Sequence, residues 1–309
     1  MRTGRLIVYL LVMVVWVCTN AVYADNENQQ QKIHYGGDTY TIDYRNEIIY
    51  ARGNAFFEKG KYTLAADRIQ IYYAETEKRL EAYGNVVLKE QGEAVRVSGD
   101  HGTAFYGDDI YIIEGSAVYR EKDTTIQAQQ IKSSGEQKYW FDGGVRYTDP
   151  GYEIYSQSLN VSEQVAGFEG VEKALFTASG DVVYCQSIEY FLNSGNITFR
   201  GHTLYIQKPD SEQHNPLISQ SGALKYLKQS QSFILMDRVY IVNGQLELSA
   251  PLVRYYRDSE VMEATGSVTA YDGSKYIYCQ KIRIDAGAGQ MSFYNSVNGV
   301  ISSSGEGVR

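Results

Sequence analysis

Apolar and polar residues alternate in short runs along most of this chain, the period-two signature of strands with one buried face. Ala66-Asp67-Arg68-Ile69-Gln70-Ile71-Tyr72-Tyr73 puts Ile69, Ile71 and Tyr73 on one face and Arg68, Gln70 and Tyr72 on the other. A polar turn follows at 75–78. A second strand, Arg79-Leu80-Glu81-Ala82-Tyr83-Gly84-Asn85-Val86-Val87-Leu88-Lys89, then crosses a glycine. Beyond position 25 no long window keeps a 3.6-residue period, so the pattern predicts strands without helices.

The two-strand phrase recurs. Its first strand carries a small residue followed by Asp, Gln or a substitute at positions 38, 67, 100, 129, 157, 186, 220, 251 and 280. Its second strand carries Gly53-Asn54, Gly84-Asn85, Gly115-Ser116, Gly144-Val145, Gly170-Val171 and Gly266-Ser267, with weaker copies near 201, 237 and 296. Nine copies predict roughly eighteen strands in a repeat architecture. The small-polar pair suits a bulge, and the glycine suits a sharp bend. A sheet bent at the same place in every repeat becomes a V-shaped trough.

Composition agrees. Of 309 residues, 28 are Tyr, 29 Gly and only 4 Pro, and Tyr, Val and Ile favour pleated half-buried surfaces. The formal net charge of −8, with no dense Lys/Arg stripe, argues against nucleic acid as a partner. Arg2 and Arg5, the apolar run 6–17 and Val22-Tyr23-Ala24 read as a secretory signal peptide over 1–24, cleaved after Ala24. The rest, 25–309, reads as one repeat domain.

Catalytic and metal chemistry find no footing. His34, His101, His202 and His214 share no metal-ligand spacing, and Cys-x-x-Cys and Gly-x-Ser-x-Gly are absent. The expectation is no enzyme, no metal and no cofactor. Cys185 and Cys279 hold equivalent positions three repeats apart. At about 4.8 Å per strand they are too distant for a disulfide, which needs Cα atoms within about 7 Å.

Leu64-Ala65-Ala66-Asp67-Arg68-Ile69, Leu80-Glu81-Ala82-Tyr83-Gly84-Asn85-Val86, Val97-Ser98-Gly99-Asp100 and Glu114-Gly115-Ser116-Ala117-Val118 together resemble the periplasmic lipopolysaccharide-transport family. These are the OstA-like β-jellyroll proteins that include LptA and the N-terminal part of LptD. The resemblance is sharpest over about 35–150, and this chain carries more repeats than the short bridge protein of that family. It implies an all-β, V-shaped jellyroll of repeated antiparallel strands, two facing sheets with open ends. It implies a periplasmic protein that carries lipopolysaccharide or another acylated glycolipid in an apolar groove. The implied partners are components of an inner-membrane ABC lipid exporter and an outer-membrane translocon, with end-to-end homo-oligomers formed by edge strands.

Strand parity selects the residues that would face such a groove. They are Ile69, Ile71, Tyr73, Leu80, Val86 and Leu88 in the best-matched repeat, with Tyr40, Ile42, Tyr106, Ile131, Leu159, Val161, Ile188, Val253, Tyr255, Ile282 and Ile284 at equivalent first-strand positions. The competing reading makes them ordinary core between two packed sheets, in a structural or adhesive protein that binds no lipid. A third, motivated by the tyrosines, is a carbohydrate-binding surface. An open apolar cleft, a filled interior and an exposed outer aromatic row separate the three.

Overall fold

The structure, a computed structural model, describes residues 32–90, 95–134, 138–209 and 215–301. The predicted signal peptide and His214 lie outside the described residues. Twenty-two strands form one hydrogen-bonded sheet in which every pairing is antiparallel. They begin with β1 (Ile33–Gly36), β2 (Thr39–Asp43), β3 (Ile48–Lys59), β4 (Tyr62–Tyr72), β5 (Arg79–Glu90), β6 (Arg96–Phe105), β7 (Ile110–Glu121) and β8 (Thr124–Ser134). Next come β9 (Lys138–Thr148), β10 (Tyr152–Val161), β11 (Val165–Glu169), β12 (Lys173–Phe176), β13 (Val182–Tyr184), β14 (Ser187–Phe191) and β15 (Asn196–Gln207). The last are β16 (Leu217–Leu227), β17 (Ser232–Asn243), β18 (Leu246–Tyr256), β19 (Val261–Tyr271), β20 (Lys275–Asp285), β21 (Gln290–Tyr294) and β22 (Asn298–Ile301). Four pairs, β1/β2, β11/β12, β13/β14 and β21/β22, are single crossings split at their midpoint: each pair lines the two halves of one neighbour. Joined, they leave the eighteen crossings that nine repeats predict. Among the described residues the only helical element is one 3-10 turn, Lys228–Ser230.

Each long strand is broken near its middle by a bulge. Between β3 and β4 the register jumps from Arg52–Arg68 to Ala55–Ala66, so Gly53 and Asn54 face Asp67 alone. Two successive left-handed residues turn the strand there, Gly53 at φ 68° and Asn54 at φ 46°. The bend repeats at Gly84-Asn85, where Asn85 donates through Nδ2 to the Asp67 carboxylate at 3.0 Å. A Cβ on Gly84 would collide with that carboxylate, and its φ of 73° is one that L side chains resist. Left-handed pairs recur at Gly115-Ser116, Gly201-His202, Asp237-Arg238 and Asn295-Ser296. The three copies that look weak in sequence are therefore real bends. One marker moves: the residue facing Asp237 is Gly222, not the repeat marker expected at Gln220.

The bends fold the sheet on itself. Sheet I contains 48–52, 68–72, 79–83 and their successors; sheet II contains 55–59, 62–66, 86–90 and theirs. Their inner faces meet, as Tyr62 of sheet II and Tyr111 of sheet I show with ring centroids 4.9 Å apart. A single apolar cluster lies between them, from Ile49 to Ile284. The result is a β-jellyroll whose two ends are the edge strands β1/β2 and β21/β22.

The outer face of sheet II changes character along its length. Directly opposed residues of antiparallel strands share a face, so the pairings identify it. Over β3–β10 it carries Glu58, Lys89, Arg96, Arg120, Arg146 and Glu153. Over β13–β20 one row runs Val182, Ile206, Ile218, Val242, Glu247, Tyr271 and Tyr276, and the next runs Tyr184, Leu204, Gln220, Tyr240, Ser249, Thr269 and Tyr278. Glu247 is the only charged side chain in those two rows.

Candidate functional site

The structure puts most of the parity-selected residues between the sheets. Ile69, Leu80, Val86, Leu159, Val253 and Ile282 are fully covered, and Ile71, Leu88, Tyr106, Ile131, Ile188, Tyr255 and Ile284 are buried. Ile42 and Val161 are half-buried against the same cluster. Two residues depart from the expectation. Tyr73 is 38% exposed because β4 ends at Tyr72; its own N–H bonds the Glu47 carbonyl, past the point where alternation holds. Tyr40 opposes the buried Ala51 and so lies on the inner face, yet it is 63% exposed, and among the described residues no further strand covers the β1/β2 edge.

Over the first two thirds of the roll the interior is filled. Tyr119 meets Phe141 edge-on at 5.7 Å across the sheets, and Phe176 packs on Tyr226 and Phe233 at 5.2 and 5.8 Å. Polar groups tie the free margins of the sheets together. Lys59 donates from Nζ to the Tyr106 carbonyl at 2.5 Å and to Asp109 at 2.7 Å. Asp181, fully buried in a turn of sheet II, pairs with Arg257 of sheet I at 2.8 Å. It also accepts from the Tyr205 hydroxyl at 3.0 Å and the Lys208 N–H at 3.1 Å, so its charge is satisfied on three sides. Burial, with Asp181 close by, pushes the Tyr205 phenol well above its ordinary range.

Beyond this latch the sheets part. A cavity of about 400 Å³ opens between them. Sheet II contributes Leu217, Asn243 and Leu246, and sheet I contributes Tyr255, Met262, Ile284 and Met291. The rim is polar, with Gln207, Asn215, Glu260, Asp285 and Gln290. Among the lining residues Tyr255 has its phenol pushed up by burial. The lining suits a flexible apolar chain whose polar end stays in solvent. A second depression, about 600 Å³, sits on the other side of Arg257 and is lined by Tyr147, Tyr152, Tyr190 and Tyr226 with Lys122 and Lys228 at its margin. Among the described residues no cluster could hold a metal ion. Cys185 and Cys279 are free and buried, and burial pushes the Cys185 thiol up to about 12.

Residues 36–139 match the family model described as LptA/(LptD N-terminal domain) LPS transport protein. The resemblance carried by Leu64–Ile69, Leu80–Val86 and Gly115–Val118 holds over that segment, a third of the chain. Among solved structures, LptH of Pseudomonas aeruginosa aligns at 10% identity over 68% of this chain and 96% of that one, with a TM-score of 0.21. It is described as the LptA-homologous periplasmic component of a conserved lipopolysaccharide transport device. At that TM-score the alignment carries no weight, and the jellyroll rests on the strand register itself. No curated protein sequence matches the chain.

Parity found Tyr255 and Ile284 of the cavity but missed Leu217, Leu246, Met262 and Met291. Met262 and Met291 lie on second strands, whose phrase is clear enough to fix parity only in the best-matched repeat. Leu217 follows the polar break at 207–215, which offers no repeat phrase.

Proposed function

We propose that this protein is a periplasmic carrier of a lipopolysaccharide-type glycolipid, and that the cavity between β16–β18 and β19–β21 receives acyl chain. The observation that supports this reading most is the apolar opening between the sheets at one end of a roll whose other part matches a lipopolysaccharide-transport family model. Its volume falls in the roughly 300–1,000 Å³ range of small-molecule sites. Each methylene taken from water there contributes roughly 0.8 kcal/mol. Exporter and translocon partners, and end-to-end stacking through β1/β2 and β21/β22, belong to the same proposal.

A second reading has an observation of its own. The filled interior over β3–β15 suits a structural envelope protein whose inner residues only pack. One experiment separates the two: native mass spectrometry with lipid extraction on the exported protein recovered from a Gram-negative periplasm. The carrier reading expects an acylated glycolipid that is lost at least tenfold on Met291→Glu, with the melting temperature unchanged because Met291 is 41% exposed. A lipid-free wild-type protein would leave the structural reading standing, whereas lipid retained by the variant would overturn the assignment of acyl chain to this cavity.

A further inference from the structure

The outer face of sheet II from β13 to β20 is dressed as an interface. A solvated sheet face alternates with charge, and over β3–β10 this one does. In the later strands it presents Val182, Ile206, Ile218 and Val242 side by side on four neighbouring strands, with Tyr240 two residues before Val242 and Tyr276 further along the row beyond Glu247 and Tyr271. Tyr240 and Tyr276 are 40% and 43% exposed. The lone acid, Glu247, accepts a hydrogen bond from the Tyr240 hydroxyl at 2.8 Å. Contiguous apolar surface of this kind marks an interaction site.

The geometry points to a second copy of this chain as the occupant, packed face to face about a two-fold axis. We reach this from shape, charge and area. Rows of Val and Ile on a pleated surface interdigitate with an equivalent sheet at a spacing of roughly 10 Å, and a two-fold axis supplies such a sheet without a new sequence. Seven strands (β13 and β15–β20) at about 4.8 Å and two outward residues per strand give a footprint of roughly 450 Å² per copy. The pair then buries roughly 900 Å², the size of a weak, transient interface rather than a permanent one. A membrane fits less well: interfacial segments present cations toward lipid head groups, and these rows carry none. The dimer is independent of the lipid cavity, which opens on the inner face of the roll.

Analytical ultracentrifugation of the full exported chain tests this. The expected result is a monomer–dimer equilibrium in the micromolar range that tightens as salt rises, because screening relieves repulsion between two acidic copies, −8 for the full sequence and more negative once Arg2 and Arg5 are removed with residues 1–24. Ile218→Lys with Val242→Lys should weaken it at least a hundredfold while the circular dichroism spectrum and melting temperature stay as in the wild type. If the lysines do lower the melting temperature, Tyr240→Lys, at a more exposed site of the same face, serves as the second variant and should weaken the dimer at least tenfold. A chain that stays monomeric into the hundreds of micromolar overturns the proposal. So does a dimer that ignores the lysines but is lost on Tyr35→Pro or Tyr294→Pro, which would assign association to the edge strands. Monomers that float with zwitterionic vesicles in a lysine-sensitive way would assign the face to membrane instead.

Discussion

The interior of the roll is two different materials. From β3 to β17 the sheets are riveted by aromatic contacts such as Tyr119–Phe141 and Phe176–Phe233, and inner side chains are covered almost completely. From the ends of β16 and β17 at Leu217 and Asn243 through β21 the same alternation, the same bends and the same pairing enclose a cavity. The backbone recipe is shared, so the difference lies in what stands at the margin of each strand. Large rings and the Asp181–Arg257 pair close one part. Leu246, Met262 and Met291, which carry no ring to reach across, leave the other open. A repeated fold can thus switch from core to container through a handful of marginal side chains.

The sharpest way to break the comparison is truncation on each side of the latch. Phe141→Ala should cost about 3–5 kcal/mol, because a covered ring leaves a hole its neighbours fill only in part. Met291→Ala, already at an open margin, should change stability by no more than about 0.5 kcal/mol. Urea denaturation of both reads the contrast directly, and equal losses would mean the two parts are packed alike. Next in size is the latch. Asp181→Asn removes the charge from a buried pair and leaves Arg257 without its partner. It should cost about 3 kcal/mol, the low end for such a loss, since the Arg257 side chain keeps 22% exposure. Arg257→Met in the same background should recover part of that loss, and a double-mutant cycle measures it.

A smaller effect concerns the thiols. With its thiol pushed up to about 12, Cys185 is almost entirely protonated at pH 8 and should react with a thiol reagent only as fast as the fold opens. Cys279, near the open end, is also raised by burial but sits in strands closer to the edge. Stopped labelling should modify Cys279 first, and a reversed order would move the weak part of the roll toward β13. Raising the pH toward 12 should accelerate Cys185 as its thiolate becomes populated.

Much of this architecture was legible as sequence because its rules are local. Ile69 and Arg68 declare opposite faces by parity, and Gly84-Asn85 declares a bend by needing left-handed backbone. Legibility failed where the same physics used other residues. Asp237-Arg238 makes the bend without glycine, and Gly222 takes the place expected of Gln220. The cavity was not legible, since it depends on what faces Met262 across the gap. Leu246, which lines the same cavity, comes from the strand before it and from the other sheet. The exposed inner faces of Tyr40 and Tyr73 depend on where neighbouring strands stop, which parity does not encode.

The bends described above also make the protein a ruler. Each two-strand repeat lengthens the roll by about 9.6 Å, twice the strand spacing, and changes nothing else in its cross-section. Eighteen crossings span roughly 80 Å at that spacing. Reach across a gap is therefore set by counting copies of one phrase, and duplication or loss of a single hairpin would retune it in fixed steps.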